Sequence, residues 1–295
     1  MKDKKNNILL ILGASGYIGN HLFNQFRKEG FDVVGTYFKN KKPGIIHFDL
    51  ENANLNDLKL DTDKITHLII AAATNAKIDE SKIYWDYNYK INVVRIKSLI
   101  DYCFKHDIVP IYLSSDAVFN GKKGNYIEED KTDPINCYGR IRYEVENHIK
   151  KSKKPYVIIR AGRVFGTEAG DGTLITSMLK NMRKGENMKC AADQVFTLTH
   201  IKDFFEFVKI IIKENYTGIF HIASLKATNR YKIAKAIKKF FKLKYDKISS
   251  CRINSLGLLE KRPELTDLNI TKLKKLIGFK EKTIDFYLNL INKDG

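Results

Sequence analysis

Tyr138 and Arg142 are the residues whose types and spacing best suit proton-transfer chemistry. Asn136 follows Asp133-Pro134 and is a good helix cap, so a helix is predicted to begin near it, with Tyr138 in the first turn. Arg142 is four residues further on and therefore shares that helix face. The guanidinium and the positive amino end of the helix both favour the phenolate form of the tyrosine. Tyr138 is therefore predicted to work as a general acid or base.

Hydroxyl and carboxyl groups are predicted at the end of the preceding strand. The apolar run from Ile111 to Leu113 is typical of a buried strand, and it stops at Ser114, Ser115 and Asp116. Open α/β sheets bind their ligands at the carboxyl ends of the strands. These three side chains are therefore well placed for chemistry on a bound ligand.

A glycine turn near the amino terminus predicts a dinucleotide site. An apolar run over residues 7–12 leads into GASGYIG at 13–19, and a helical pattern follows. Strand, glycine turn and helix in this order are the context of dinucleotide-binding folds. Gly13 permits the tight turn, Gly16 the approach of the pyrophosphate and Gly19 the packing of the helix on the strand. The other predicted cofactor contacts of this turn are Ser15, Tyr17 and Ile18.

The second strand, residues 31–38, lacks the acidic residue that would bind the adenosine 2′-hydroxyl of NAD. Thr36 stands in that region, and Lys39, Lys41 and Lys42 follow. Hydroxyl and ammonium groups can donate hydrogen bonds to the 2′-phosphate of NADP(H). NADP(H) is therefore the predicted cofactor. The same lysines also fit a solvated loop.

The segment 111–146 resembles the extended short-chain dehydrogenase/reductases, and within them the dTDP-4-dehydrorhamnose reductase family with its sugar-nucleotide-binding relatives. That family has a Ser-Thr/Ser-Asp-x-Val-Phe-x-Gly strand end, a Glu-Glu-Asp loop and Tyr-Gly-x-x-Lys. This chain has SSDAVFNG at 114–121, EED at 128–130 and YGRIR at 138–142. The spacing of the glycine turn also matches extended reductases. Arg142 departs from the pattern, because the family has a catalytic Lys there.

The resemblance implies an NADPH-dependent reductase of a nucleoside-diphosphate 4-keto-6-deoxy sugar, with a role in polysaccharide biosynthesis. A hydride from the nicotinamide would reduce the keto carbon while Tyr138 protonates the oxygen and Ser115 donates a hydrogen bond to it. Tyr138 and Arg142 would also contact the cofactor. The implied substrate contacts are Ser115, Asp116, Val118, Phe119, Arg163, Gln194 and Arg262. Arg163 also fits a structural ion pair.

The resemblance further implies that two strand ends line the cofactor site. Asp49 and Leu50 would contact the adenine edge at the end of a strand over 45–50, although Asp49 also fits a cap for the next helix. A strand over 68–74 would bring Ala71, Ala72 and Ala73 beside the cofactor backbone. Small residues at a buried strand end also fit ordinary packing.

The predicted fold class is α/β, with a Rossmann-type doubly wound parallel sheet and a smaller C-terminal substrate-binding lobe. Residues 1–160 are assigned to the NADP-binding domain, with a return segment near 200–224, and residues 161–295 mainly to the substrate-binding lobe. The chain of 295 residues is long enough to bury a substantial core.

The composition restricts the partners. The net charge of +18 comes mostly from lysines spread along the chain, without a basic cluster that also carries stacking aromatics. This distribution favours a diphosphate-bearing small molecule over nucleic acid. Four irregularly spaced cysteines without a Cys-x-x-Cys pair argue against a zinc site or a disulfide framework and fit a reducing cytoplasm. We expect no metal, no signal peptide and no membrane span, and a homodimer is compatible with the sequence.

Two alternatives remain at this stage. The first is a protein of the same fold that binds NADP without turnover as a regulatory subunit, like the methionine adenosyltransferase β subunit of this superfamily; Arg142 favours it. The second is a sugar-nucleotide epimerase or dehydratase, which would need further acid or base groups near Tyr138. Ser114-Ser115-Asp116 does not resemble the acid pair of the dehydratases.

Overall fold

A central β-sheet organises the chain in the computed structural model, which describes residues 7–73 and 78–291. Within these ranges, seven strands form one sheet in the order β10-β6-β5-β4-β1-β2-β3. The neighbouring strands from β5 to β3 pair in parallel. The strands of this sheet are β1 (Ile8–Leu12), β2 (Asp32–Tyr37), β3 (Ile46–His47), β4 (Ile65–Ile70), β5 (Val109–Ser115), β6 (Val157–Ala161) and β10 (Gly218–Ile222). The predicted fold class is confirmed.

The strand order reverses between β1 and β4, which are neighbours in the middle of the sheet. All five residues of β1 are buried, as expected for a parallel strand that is covered on both faces. Doubly wound sheets bind their ligands outside the carboxyl ends of the strands at such a switch point. The glycine turn follows β1 directly, so the fold places it there.

Helices connect and flank the strands. Helix α1 buries Leu22, Phe23 and Phe26 along one stripe, and Gly30 at φ 81° follows its carboxyl end. The helices are α1 (Tyr17–Lys28), α2 (Ile78–Ile83), α3 (Trp85–Tyr89), α4 (Ile96–Lys105), α5 (Cys137–Lys151), α6 (Leu174–Arg183), α7 (Ile201–Lys213), α8 (Arg230–Phe240), α9 (Thr271–Ile277) and α10 (Ile284–Leu288). A π-helical turn, Lys90–Arg95, lies between α3 and α4.

The chain divides into two compact units that are each discontinuous in sequence. The first comprises residues 1–114, 140–159 and 208–219, and the second comprises residues 115–139, 160–207 and 220–295. Residues 115–139 therefore cluster with the second unit, whereas the sequence assigned them to the first. The second unit also contains two short parallel pairs, formed by β7 (Arg163–Phe165) with β9 (Leu198–His200) and by β8 (Met188–Ala191) with β11 (Ile248–Cys251).

Each unit has its own hydrophobic core. In the first, Leu10, Leu68 and Ile100 are fully buried between the sheet and the helices. In the second, Phe165 and Ile233 belong to a separate cluster that includes α6, α8 and α10. Burial of such side chains stabilises each fold by about 1.5–3 kcal/mol per residue.

Candidate functional site

A cleft of about 520 Å³ lies in the first unit, at the switch point of the sheet. It is lined by the glycine turn, the end of β2, the residues after β3 and the residues after β4. Every cofactor contact predicted in this unit outside α5 lines it. These residues are Gly13, Ser15, Gly16, Tyr17, Ile18, Gly19, Thr36, Lys39, Asp49, Leu50, Ala71, Ala72 and Ala73.

Close backbone contacts explain two of the glycines. Gly13 has φ +84°, and a Cβ there would lie 2.7 Å from the main chain of Ala72. A Cβ at Gly19 would lie 2.2 Å from the carbonyl oxygen of Gly13. Side chains at either position would therefore separate the turn from α1 or from the end of β4. The turn leaves the amino end of α1 open to the cleft, and that helix end binds anions.

The end of β2 presents no carboxylate to the cleft. Tyr37 and Phe38 are followed by Lys39, and the Lys39 ammonium lies 5.7 Å from the centre of the exposed Phe38 ring. Thr36 is only 2% exposed, and its hydroxyl accepts a 3.1 Å hydrogen bond from the Gly13 amide. Thr36 therefore holds the glycine turn, and Lys39 is the exposed cationic group of this strand end.

Asp49 caps a local turn. Its carboxylate accepts hydrogen bonds from the Glu51 amide at 2.9 Å and from the Asn52 side chain at 2.8 Å. Desolvation by itself would raise the pKa of Asp49, but these hydrogen bonds outweigh it and hold the pKa below its usual value. Asp49 therefore caps a turn and not the next helix, which begins at Leu55 with Asn54 as its cap, and Asp49 also lines the cleft.

Ala71, Ala72 and Ala73 follow β4, which ends at Ile70 and not at residue 74 as predicted. The Ala71 amide donates to the Leu12 carbonyl at 3.0 Å, which continues the pairing of β1 with β4. Thr74, the last residue of the predicted strand, lies outside the described residues.

The amino end of α5 places Tyr138 in its first turn, as predicted. The Asn136 side chain accepts a 2.8 Å hydrogen bond from the Gly139 amide, so the predicted cap is confirmed. The Cys137 amide donates to the Glu260 carboxylate at 2.8 Å. This carboxylate stabilises the helix end, but it also offsets the positive potential that was predicted to act on Tyr138.

Ser115 and Asp116 form a hydrogen-bonded pair in the second unit. The Ser115 hydroxyl donates to one Asp116 oxygen at 2.8 Å, and the Thr266 hydroxyl donates to the other at 2.8 Å. Burial raises the pKa of Asp116, although the hydrogen bonds from Thr266 and Ser115 oppose that effect. Asp116 therefore orients the Ser115 hydroxyl, which also accepts from the Ala117 amide at 3.2 Å.

Arg142 contacts the carboxyl-terminal half of strand β5, within the first unit. Its Nη1 atom donates to the Tyr112 hydroxyl at 3.3 Å and to the Leu113 carbonyl at 3.2 Å, and the guanidinium lies 5.7 Å from the centre of the Tyr112 ring. Both hydrogen bonds come from the single Nη1 atom, so an ammonium with three N–H donors could also make them, whereas the position of the planar guanidinium near the Tyr112 ring is specific to arginine.

Three arginines form a cationic cluster in the second unit: Arg163, Arg230 and Arg262. Burial lowers the pKa of Arg230 to about 10, and repulsion from Arg163 and Arg262 adds to this effect. Burial likewise lowers the pKa of Arg163, while attraction to Asp116 opposes the change. An anion bound among these groups would remove their mutual repulsion. Sequence reasoning found Arg163 and Arg262 but missed Arg230, since it follows Asn229 at the start of α8 without a motif of its own.

Three predicted substrate contacts have packing roles. Val118 and Phe119 are fully buried, and the Phe119 ring stacks on Tyr126 with the ring centroids 4.0 Å apart. The burial corrects the prediction that their side chains contact substrate. Gln194 is 6% exposed and donates to the Pro263 carbonyl at 3.2 Å, so it supports the segment that carries Arg262.

Among residues 7–73 and 78–291, no group of three or more His, Cys, Asp or Glu side chains could hold a metal ion. No helix in these ranges is long and apolar enough to cross a membrane.

The sheet order, the switch-point cleft and the glycine turn define a dinucleotide-binding protein of the Rossmann class. Over residues 7–291 the chain matches the RmlD substrate binding domain family, and it belongs to that family. The resemblance found in the sequence motifs is confirmed.

Relatives of different function resemble the chain equally well. The methionine adenosyltransferase 2 subunit beta of Bos taurus is 25% identical over 302 residues, which cover 96% of this chain and 89% of that protein. The dTDP-4-dehydrorhamnose reductase of Aggregatibacter actinomycetemcomitans is 25% identical over 283 residues, covering 92% and 93%. The crystal structure of the dTDP-4-dehydrorhamnose reductase from Bacillus anthracis in complex with NADP superposes with a TM-score of 0.83 at 21% identity, covering 97% of this chain and 99% of that one.

Proposed function

We propose that this protein is an NADPH-dependent reductase of a nucleoside-diphosphate 4-keto-6-deoxy sugar. The observation that carries the proposal is the presence of Tyr138 and the arginine cluster in one compact unit. Tyr138 lies in the first turn of α5. Its hydroxyl group interacts electrostatically with the guanidinium of Arg163, which belongs to the arginine cluster. Reduction of a keto sugar nucleotide needs a proton donor for the keto oxygen and cationic groups for the diphosphate.

Each group of residues has a separate role in the proposed reaction. Tyr138 donates its proton to the carbonyl oxygen of the substrate, and Ser115 turns its hydroxyl hydrogen from Asp116 to that oxygen and stabilises the negative charge there. The arginine cluster holds the diphosphate through charge-assisted hydrogen bonds. The bound nicotinamide supplies the hydride. The residues that would hold the cofactor are those of the switch-point cleft, whose glycine turn fits a pyrophosphate.

NADP(H) is proposed as the cofactor because the end of β2 lacks the acidic residue of NAD enzymes and is followed by the exposed Lys39. We expect the wild-type protein to bind NADPH at least about tenfold more tightly than NADH, the effect of roughly 1.5–3 kcal/mol from a charge-assisted contact. Calorimetric titration of both nucleotides tests this expectation. Lys39→Met should narrow the difference between the two affinities, whereas Lys28→Met, which removes an exposed lysine of α1 outside the cleft lining, is the control. Equal affinities of the wild type for the two nucleotides would remove the basis for NADP(H).

Arg142 decides between the reductase and a second candidate, a subunit that binds NADP without turnover. The similarity to methionine adenosyltransferase 2 subunit beta and the loss of the family Lys favour this candidate. Arg keeps the charge and the hydrogen bonds of a Lys, but it is effectively never deprotonated and cannot relay protons to Tyr138.

We therefore expect slow but measurable reduction by the wild type, and a severalfold higher kcat in Arg142→Lys with little change in NADPH affinity. The assay follows NADPH oxidation with a panel of nucleoside-diphosphate 4-keto-6-deoxy sugars. If both proteins bind NADPH and neither oxidises it with any sugar, the reductase proposal is wrong and the subunit proposal replaces it.

A further inference from the structure

Two cations of the π-helical turn hold one loop of the switch-point cleft. The Arg95 guanidinium donates from Nε to the Leu50 carbonyl at 2.9 Å and from Nη2 to the Ala53 carbonyl. The Lys90 ammonium contacts the Glu51 carboxylate at 2.9 Å. Leu50 and Glu51 line the cleft, so both cations act on a wall of the cofactor site.

The π-helical geometry explains how both cations reach this loop. Lys90 and Arg95 are five residues apart, and five residues of an α-helix would turn them roughly 140° away from each other. A π-helix has i→i+5 hydrogen bonds and therefore brings such residues close to one face. The π-helical turn therefore allows the side chains of Lys90 and Arg95 to contact the same loop.

Few main-chain hydrogen bonds join this loop to the sheet. Strand β3 contains only Ile46 and His47, which pair with Thr36 and Tyr37 of β2. Beyond β3, the Phe48 amide donates to the Tyr37 carbonyl at 2.8 Å and the Phe48 and Leu50 side chains are buried, while the Asp49 cap is a bond within the loop itself. The two bonds from Arg95 go to main-chain carbonyls, so they fix the path of the loop whatever its side chains are.

We propose that Arg95 is a positioning residue for the adenosine half of the dinucleotide. The inference rests on the proposed function, in which the cleft binds NADP(H). The adenosine half is assigned to this side because the end of the second strand contacts the adenosine ribose in such folds, and β3 pairs with that strand. With Arg95 in place, the loop is ordered before the cofactor binds, and binding does not have to supply that ordering free energy.

The test compares Arg95→Met with Lys105→Met, which removes an exposed cation from helix α4 of the same region. Calorimetry measures the affinities for NADPH and for adenosine 2′,5′-bisphosphate, a probe of the adenosine half alone. Arg95→Met should weaken both by the same factor, about tenfold or 1.4 kcal/mol. Lys105→Met should change neither the affinity for NADPH nor the affinity for adenosine 2′,5′-bisphosphate. Lys90→Met should have an effect below about threefold, because exposed ion pairs contribute little.

Arg95→Lys provides a second variant if Arg95→Met does not fold. It keeps the charge but can make only one of the two carbonyl contacts, so its affinity should be intermediate. Unchanged affinity of the Arg95 variants for both ligands would overturn the inference while leaving the proposed function intact. So would a loss confined to NADPH, since the effect would then lie outside the adenosine half. Failure of the wild type to bind NADPH would instead reject the proposed cofactor.

Discussion

Tyr138→Phe is expected to lower kcat for keto-sugar reduction by about 10²–10⁴-fold, the contribution of a positioned proton donor. The variant loses the phenolic hydroxyl and keeps the ring, the α5 cap by Asn136 and the contact between Cys137 and Glu260. NADPH affinity should remain nearly unchanged, because the glycine turn and the loops of the switch-point cleft are untouched. Single-turnover oxidation of NADPH with saturating substrate measures the chemical step directly.

Tyr143→Phe is the matched control, since Tyr143 lies on the same helix and has no assigned part in the reaction. It should retain the wild-type kcat. Substantial turnover by Tyr138→Phe would show that another group protonates the substrate and would remove Tyr138 from its proposed role.

Arg230→Met is expected to raise KM for the sugar nucleotide roughly 10- to 100-fold, with a smaller effect on kcat. The magnitude corresponds to the loss of charge-assisted hydrogen bonds worth roughly 1.5–3 kcal/mol. A cation that contributes equally to the ground state and the transition state changes KM more than kcat. The measurement is a steady-state titration of the substrate at saturating NADPH, together with calorimetry of a nucleoside diphosphate.

Arg252→Met is the control for this prediction because it removes an exposed arginine from the same unit. It should bind the nucleoside diphosphate as the wild type does. If Arg230→Met also binds it with unchanged affinity, the arginine cluster is not the diphosphate site, whatever the result with Tyr138.

Local sequence patterns determined the features that depend on neighbouring residues. The glycine turn was predictable because strand, turn and helix are contiguous in the chain, and Gly13 and Gly19 have a steric reason to be glycine. The start of α5 was predictable for the same reason, since an Asn three residues before Gly139 caps it without help from elsewhere. The spacing of Tyr138 and Arg142 then followed from helical periodicity.

Only the tertiary structure decided the features that depend on distant residues. Glu260 caps the Cys137 amide across 123 positions, and Arg230 joins Arg163 and Arg262 from a separate helix. Phe119 fits the family motif, yet it is fully buried.

The π-helical turn Lys90–Arg95 before α4 shows the same limit. The side chain of Arg95 reaches carbonyl groups more than 40 positions away, at Leu50 and Ala53. Periodicity reports which face of a helix is apolar, whereas the partners of a charged side chain depend on where the other segments of the chain fold.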